Sequence, residues 1–121
     1  MTILSYDSTF EGWLTAVFEI YELKLADVVF AKNEVSNTLL FSETYFVTTD
    51  LNKANRVLNG LKQRLSPEGF ANIYRAFLSE LDKIEETLFQ FVKYVFASSV
   101  NIEEDLANTF VLDVRRAAHL T

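Results

Sequence analysis

The chain has 121 residues, of which 50% are hydrophobic and 14% aromatic, and its formal net charge is −6 at pH 7. This length fits one domain with a sizeable apolar core, and the apolar content argues against a disordered chain. Because the sequence has no cysteine, disulfides, thiolate zinc sites, iron–sulfur ligation and cysteine nucleophiles are excluded. The negative charge disfavours strong nonspecific binding to nucleic acid or to anionic lipid.

Targeting and membrane signals are not evident in the sequence. The run Met1–Asp7 lacks the basic region followed by an apolar stretch that marks a signal peptide. No stretch approaches the ~18 uncharged apolar residues that a membrane span needs. We therefore expect a cytoplasmic protein without a membrane segment. The chain contains three glycines and one proline, a composition that favours helices joined by short connections.

A short strand followed by a helix is predicted at the start of the chain. Ile3–Tyr6 indicates the strand, and Ser8 with Glu11 has the spacing of a capping box that opens a helix running to about Lys24. The segment Ala26–Ser42 is interpreted as a short helix and a loop. The apolar residues of the first helix, at helical intervals, are Phe10, Leu14, Val17, Phe18, Tyr21 and Leu25, with Trp13 on the flank.

A second strand is predicted over Thr44–Thr49, because β-branched and aromatic residues fit a pleated, half-buried surface. It is expected to pair with the first strand. Since a two-stranded ribbon is marginal alone, helices should pack on one of its faces. Asp50 is predicted to cap the next helix. The apolar stripe of that helix consists of Leu51, Ala54, Val57, Leu58, Leu61 and Leu65.

Three further helices complete the predicted fold. Ser66–Glu68 supplies a cap, a proline in the first turn and an acid suited to the helix dipole. Asp82 with Glu85 is predicted to open a fourth helix, and Asn101 with Glu104 a fifth. Amphipathic helices bury their stripes against one another, so the sequence predicts an α+β, predominantly helical fold with about five helices and a short two-stranded β element. The stripes comprise Phe70, Ile73, Tyr74, Phe77, Leu78 and Leu81, then Ile84, Leu88, Phe91, Val92 and Val95, then Ile102, Leu106, Phe110, Val114 and Ala117.

The polar residues form no recognised catalytic motif. The single histidine, His119, lies two residues from the end and is interpreted as exposed and idle. Glycine-rich phosphate loops and nucleophile elbows are absent from the sequence, so we expect no catalytic residues, no metal and no cofactor. Two acidic clusters fall in predicted first helical turns, where acids stabilise a helix, and a structural role is favoured over a catalytic carboxylate pair. These clusters are Asp82, Glu85 and Glu86, and Glu103, Glu104 and Asp105.

Basic residues gather in the second predicted helix, which contains four cations and no acid, namely Lys53, Arg56, Lys62 and Arg64. Lys53, Arg56 and Arg64 lie near one side of the helix, roughly opposite the leucine stripe, and Lys62 lies further round. Such a face could contact phosphates, and these four residues are the candidate nucleic-acid-binding site. The alternative, an ordinary solvated face, is favoured because only four charges are involved.

The run Tyr6–Glu19, which reads Tyr-Asp-Ser-Thr-Phe-Glu-Gly-Trp-Leu-Thr-Ala-Val-Phe-Glu, resembles the opening of a bacterial family of unknown function assigned to DNA metabolism or DNA repair. Thr48–Ala54 with Val57–Leu61, and Ala76–Glu80, agree with the same family. Gly12 within the first run is unfavourable early in a helix by ~1 kcal/mol relative to Ala. We expect that it allows close approach of the second strand or of a neighbouring helix.

The resemblance implies a neighbouring gene and an appended domain, and it implies no catalytic residues. Family members are typically encoded beside a radical-SAM protein, and some carry an appended uracil-DNA-glycosylase-like domain, but no catalytic residues are implied for this part. Members continue past Val111–Arg116 into a segment with Glu, His, Arg and aromatic residues, whereas this sequence stops at Thr121. No role is transferred from that segment's histidine to His119. We expect the chain to be the N-terminal part of a longer member.

Three functions remain open at this point. The first is a noncatalytic accessory domain of a DNA-metabolism or DNA-repair protein that binds the radical-SAM companion and contacts DNA weakly through the four cations. The second is part of a nucleic-acid-processing enzyme whose active site lies in the absent C-terminal segment. The third is a homo-oligomeric structural module in which exposed aromatics such as Trp13, Tyr45 or Phe46 form a dimer surface.

Overall fold

A computed structural model describes residues 1–32, 43–98 and 109–119 of the chain. These ranges contain three strands and five helices, which confirms the predicted α+β, predominantly helical class. The strands are β1 (Thr2–Tyr6), β2 (Val28–Lys32) and β3 (Glu43–Phe46), and the helices are α1 (Phe10–Leu23), α2 (Leu51–Arg64), α3 (Pro67–Leu78), α4 (Ile84–Ala97) and α5 (Thr109–His119). The chain divides into two compact units, a first unit of Met1–Leu58 and a second unit of Asn59–Thr121, and α2 contributes to both. The single domain stays a prediction.

The first unit is built on a parallel sheet with the strand order β2-β1-β3. The predicted pairing of the first strand with the segment that contains Thr44 is confirmed, with Ile3 opposite Thr44, although β3 ends at Phe46. Val28–Lys32 is a strand that pairs with β1 and is not part of a short helix, so the two-stranded prediction was wrong by one strand. Its β-branched and aromatic residues favour a strand, but the run is short and its partner is distant in sequence, which leaves little local signal.

Aromatic side chains fill the core of the first unit. Trp13 is fully buried, and its ring centroid lies 6.0 Å from that of Phe10 and 6.2 Å from that of Phe30. Tyr6 meets Phe30 edge-on at 6.3 Å. Such ring pairs add about 0.5–1.5 kcal/mol each beyond their buried area. The hypothesis of a dimer surface that includes an exposed Trp13 is therefore wrong for this residue.

The second unit is helical, and α3, α4 and α5 pack against one another. Ser66 caps α3 as predicted, since its hydroxyl accepts a hydrogen bond from the Gly69 N–H at 3.1 Å. The predicted apolar stripe of α4 is fully buried, but Tyr74 and Leu78 of the α3 stripe are 45% and 47% exposed, so the buried face of α3 is narrower than predicted. The predicted start of the last helix and the acidic cluster beside it, residues 101–105, lie outside the described residues, as do residues 33–42.

Two helix starts differ from the predicted ones. Thr9, and not Ser8, caps α1, because its hydroxyl accepts a hydrogen bond from the Gly12 N–H at 2.9 Å. Ser8 instead has a positive φ of 72° in the turn that precedes the helix. The chain enters α4 through Lys83, which adopts a left-handed conformation with φ of 60° and makes no side-chain cap. The predicted cap by Asp82 was therefore wrong.

Candidate functional site

The candidate site of the first unit lies at the carboxyl edge of its sheet. β1 is the central strand, with β2 on one side and β3 on the other, so the order in which strands are added reverses between β1 and β3. α1 follows β1 and α2 follows β3, so both helices begin from this edge. In open parallel α/β sheets, ligands bind outside the carboxyl ends of the strands at such a switch point.

Asp7 joins the two loops at this edge. Its Oδ2 accepts a hydrogen bond from the Thr49 hydroxyl at 2.7 Å, and its Oδ1 accepts from the Thr9 N–H at 3.0 Å and from the Thr9 hydroxyl. Partial burial opposes ionisation, but these hydrogen bonds outweigh it and lower the pKa of Asp7 below its usual 3.8. A Cβ at Gly12 would overlap Asp7 Oδ1 and lie 3.0 Å from Thr49 Oγ1. Gly12 is closely approached, but the predicted partner was wrong, because side chains of the loops make the contact and not a strand or a neighbouring helix.

Thr15 connects α1 to the start of α2. This fully buried hydroxyl donates to the Glu11 carbonyl at 2.8 Å and accepts from the Asp50 N–H at 3.1 Å. Asp50 caps α2 as predicted, because its Oδ1 accepts from the N–H groups of Asn52 at 2.9 Å and Lys53 at 3.3 Å. The first turn of α2 is thereby fixed on α1.

A cleft of about 520 Å³ opens beside this edge. Glu19, one helical turn beyond Thr15, lines the cleft, and its side chain is only 9% exposed. Its Oε1 accepts a hydrogen bond from Lys53 Nζ at 3.1 Å, whereas its Oε2 is enclosed and has no hydrogen-bond partner among the described residues. Besides Glu19, the cleft is lined by Thr48, Thr49, Asp50, Leu51, Asn52 and Lys53.

Lys53 and Arg56, two of the four predicted cations, lie over the same ring in the first unit. Lys53 Nζ is 5.7 Å and Arg56 Cζ 5.4 Å from the centroid of Phe18. Lys53 Nζ also lies 3.5 Å from Glu22. The hydrogen bond to Glu19, together with the charges of the two acids, raises the pKa of Lys53 and keeps it protonated. Arg56 is exposed and has no acid partner in the part of the chain that the structure describes.

The other two cations, Lys62 and Arg64, belong to the second unit and lie over separate rings. Lys62 Nζ is 5.3 Å from the centroid of Phe70, and Arg64 Cζ is 4.9 Å from that of Phe96. Arg64 Nη1 also donates to the Gly60 carbonyl at 3.0 Å. Both side chains are exposed, and neither has an acid partner within the described ranges. Exposed cation–π contacts of this type are worth about 0.5–1 kcal/mol.

The remaining polar candidates of the sequence lie in the second unit. Glu85 and Glu86 occupy the first turn of α4, as predicted, and their structural role stays a prediction. His119 is exposed at the end of α5, also as predicted. Among the described residues, no group of three acids or histidines is placed to hold a metal ion.

Sequence reasoning singled out Lys53 but missed the acid that holds it. Glu19 and Thr15 are polar residues one turn apart in a helix that is otherwise buried on most of its surface, and Glu22 follows on the same face. A polar stripe of this kind within an apolar helix indicates a tertiary polar contact or a ligand. That periodicity is the signal that could have identified the cleft.

Comparison of the chain with models of protein families, with curated proteins and with solved structures finds no match. The resemblance carried by Tyr6–Glu19 therefore stays a prediction. Within the ranges 1–32, 43–98 and 109–119, none of the helices has the length and apolar character needed to cross a membrane.

Proposed function

We propose that the chain is a cytoplasmic accessory domain of DNA metabolism or DNA repair that binds rather than catalyses, and that it contacts DNA weakly through α2. The observation that carries the DNA contact is the state of Arg56, Lys62 and Arg64, which are exposed and have no acid partner among the described residues. Cations of this kind on one helix bind phosphates and orient a protein without reading base sequence. The net charge of −6 keeps such binding weak.

Lys53 contributes less positive charge to this surface than its position in the sequence predicts. Its ammonium group is paired with Glu19 at 3.1 Å and with Glu22 at 3.5 Å. Two carboxylates beside one ammonium leave no excess positive charge for a phosphate. We therefore expect Arg56, Lys62 and Arg64 to supply most of the attraction.

DNA binding measured against salt concentration tests the proposed interface. Phosphate contacts make affinity fall steeply between low and moderate salt, and Arg56→Glu and Arg64→Glu should each weaken binding. Lys93→Glu is the matched control. Lys93 is exposed, and its Nζ lies 5.6 Å from the centroid of the Phe89 ring. The substitution therefore reverses the same charge and removes the same kind of cation–π contact. Binding that survives both arginine substitutions, or that falls equally in the control, would exclude α2 as the interface.

A protein partner forms the second part of the proposal. The resemblance of the run Tyr6–Glu19 implies a radical-SAM companion, which we propose as the partner. Pull-down of that companion with the full chain is the direct measurement. Absence of binding at micromolar concentrations of both proteins would exclude this partner without bearing on DNA contact.

A homo-oligomer is a second candidate, and the exposure of Phe46 favours it. This side chain is 69% exposed on β3, an outer strand of the three-stranded sheet. Outer strands with exposed apolar residues can pair with a second chain. Light scattering of the wild type and of Phe46→Lys decides this candidate: a dimer that the substitution dissociates supports it, and a monomeric wild type excludes it.

A further inference from the structure

The cleft beside the carboxyl edge of the sheet supports an inference that is independent of the DNA contact. We propose that it binds a neutral molecule with neighbouring hydroxyl groups, either a free sugar or the sugar of a nucleoside. The cleft volume of about 520 Å³ lies within the ~300–1,000 Å³ typical of small-molecule sites. It is lined by the loop after β3, by the start of α2 and by Glu19 of α1, beside the edge at which open parallel sheets bind their ligands.

Glu19 gives the cleft an unsatisfied polar group. Its side chain is nine-tenths buried, and Lys53 satisfies only Oε1. Oε2 is enclosed and accepts no hydrogen bond from the described residues. A buried acceptor without a donor is unfavourable, and more so when it belongs to a charged group. A ligand that donates to this carboxylate removes that penalty and gains affinity from it.

The arrangement of Glu19 and Lys53 selects a hydroxyl group. One carboxylate oxygen is already occupied, so a guanidinium group, which pairs with both oxygens at once, fits poorly. An ammonium group has three N–H donors, and Lys53 directs two of them to Glu19 and Glu22. The third can donate to a ligand in the cleft. A hydroxyl group accepts from an ammonium and donates to a carboxylate at the same time, which no purely anionic or purely cationic group does.

The carboxylate can reach the ligand without a change in the fold. The terminal torsion of a glutamate side chain is broad, so a partial rotation that turns the Glu19 carboxylate towards the cleft is expected at little expense. Lys53 carries its ammonium on a flexible stem, and its side chain is 27% exposed. The pair can therefore turn together and present the unpartnered oxygen to the cleft.

Charge and neighbouring groups favour a neutral ligand with a second hydroxyl. Among the charged residues that line the cleft, Glu19 and Asp50 outnumber Lys53, so a phosphate would be repelled. The Asn52 amide lines the same cleft from the first turn of α2 and can both donate and accept. Of two hydroxyl groups on adjacent carbons, one would then reach the Glu19 carboxylate and the other the Asn52 amide.

Titration of the full chain with ribose, adenosine, 2′-deoxyadenosine and adenosine monophosphate, followed by NMR at low-millimolar ligand, tests the proposal. Adenosine should shift the backbone amide signals of Asn52 and Lys53. The deoxy compound should bind about tenfold more weakly, since it lacks one of the neighbouring hydroxyls, and the monophosphate should also bind more weakly because of its charge. Equal binding of ribose identifies a free sugar as sufficient, whereas binding of adenosine alone identifies a nucleoside.

Two substitutions test whether the ligand binds in the cleft. Glu19→Gln keeps the shape of the side chain but removes the charge, and it should weaken binding about tenfold. Glu11→Gln is the matched control, because this exposed acid of α1 does not line the cleft. Asn52→Ala, at an exposed position, tests the site if Glu19→Gln does not fold. No signal shift with ribose or adenosine, tighter binding of the monophosphate, or unchanged binding in the substituted proteins would overturn the proposal.

Discussion

Asp7 accepts a hydrogen bond from the hydroxyl of Thr49 at 2.7 Å, across 42 residues of sequence. The bond joins the loop after β1 to the loop after β3. Thr15 makes a parallel link, since its hydroxyl accepts from the Asp50 N–H at 3.1 Å. The carboxyl edge of the sheet is thus fixed by polar side chains of α1 and of the two loops. Each of these links gives a prediction that can be measured.

The first prediction concerns the charge of Asp7. Asp7→Asn should lower the free energy of unfolding at neutral pH by about 1 kcal/mol, less than the ~1.5–3 kcal/mol of a charged hydrogen bond because the side chain is exposed. The pKa of Asp7 is lower in the folded chain than its usual 3.8, so its contribution is present above that value and is lost as pH falls through the folded pKa. Denaturant titrations of both proteins along this pH range measure the difference. A difference that stays constant into acid would contradict the assignment.

The second prediction concerns the contact between Gly12 and Asp7. Gly12→Ala adds a methyl group that overlaps Asp7 Oδ1, so we expect a loss of about 1–3 kcal/mol, as for other overpacked sites, in spite of the better helix propensity of Ala. Thermal unfolding measures the change. In an Asp7→Ala background the same substitution should be much less harmful, because coupled residues are not additive. Equal losses in both backgrounds would show that the contact is not responsible.

The third prediction concerns the buried hydroxyl of Thr15. Thr15→Val keeps the size of the side chain but leaves the Asp50 N–H without its acceptor, and we expect a loss of about 1–3 kcal/mol. Hydrogen exchange of the Asp50 amide should accelerate beyond the change in global stability. Thr15→Ser is the control, since it loses a methyl group worth ~0.8 kcal/mol but keeps the hydroxyl. Protection of the Asp50 amide that is equal in the two variants would contradict the proposed link.

Local patterns predicted the helices and most of their buried faces. The caps Asp50 and Ser66 were correctly predicted, because a cap and its partners lie within three residues of one another. The strand Val28–Lys32 was missed, since parallel pairing joins residues far apart and leaves no local mark of its partner. The exposure of Leu51 at 62%, at the start of a stripe that is otherwise mostly buried, could not be predicted from periodicity alone.

The sequence alone identified only part of the candidate cleft. Lys53 was singled out by the charge pattern of α2, but its pairing with Glu19 depends on how α1 and α2 meet in the first unit. That arrangement depends on the sheet order, which the two-stranded prediction did not contain. Periodicity shows which residues share one face of a helix or strand. Which other helix or strand that face contacts depends on the tertiary fold.

The fourth prediction concerns Glu86 at the start of α4. Burial, and then the negative charge of Glu85, raises the pKa of Glu86 above its usual 4.5, and its Oε2 has no hydrogen-bond partner among the described residues. The folded chain therefore binds this proton more tightly than the unfolded chain. Stability contributed by this group is greatest below pH 4.5 and declines as pH rises through the folded pKa.

Glu86→Gln should accordingly raise the free energy of unfolding at neutral pH, by a few tenths to about 1 kcal/mol because solvent partly screens this incompletely buried position. Loss of a favourable interaction with the helix dipole opposes the gain. Glu68→Gln isolates that loss, since Glu68 is an exposed acid in the first turn of α3, and it should destabilise the chain slightly. Denaturant titrations in steps of pH should show the advantage of Glu86→Gln growing from acid to neutral pH. An advantage that does not change with pH, or that Glu68→Gln shares, would mean that ionised Glu86 does not destabilise the fold.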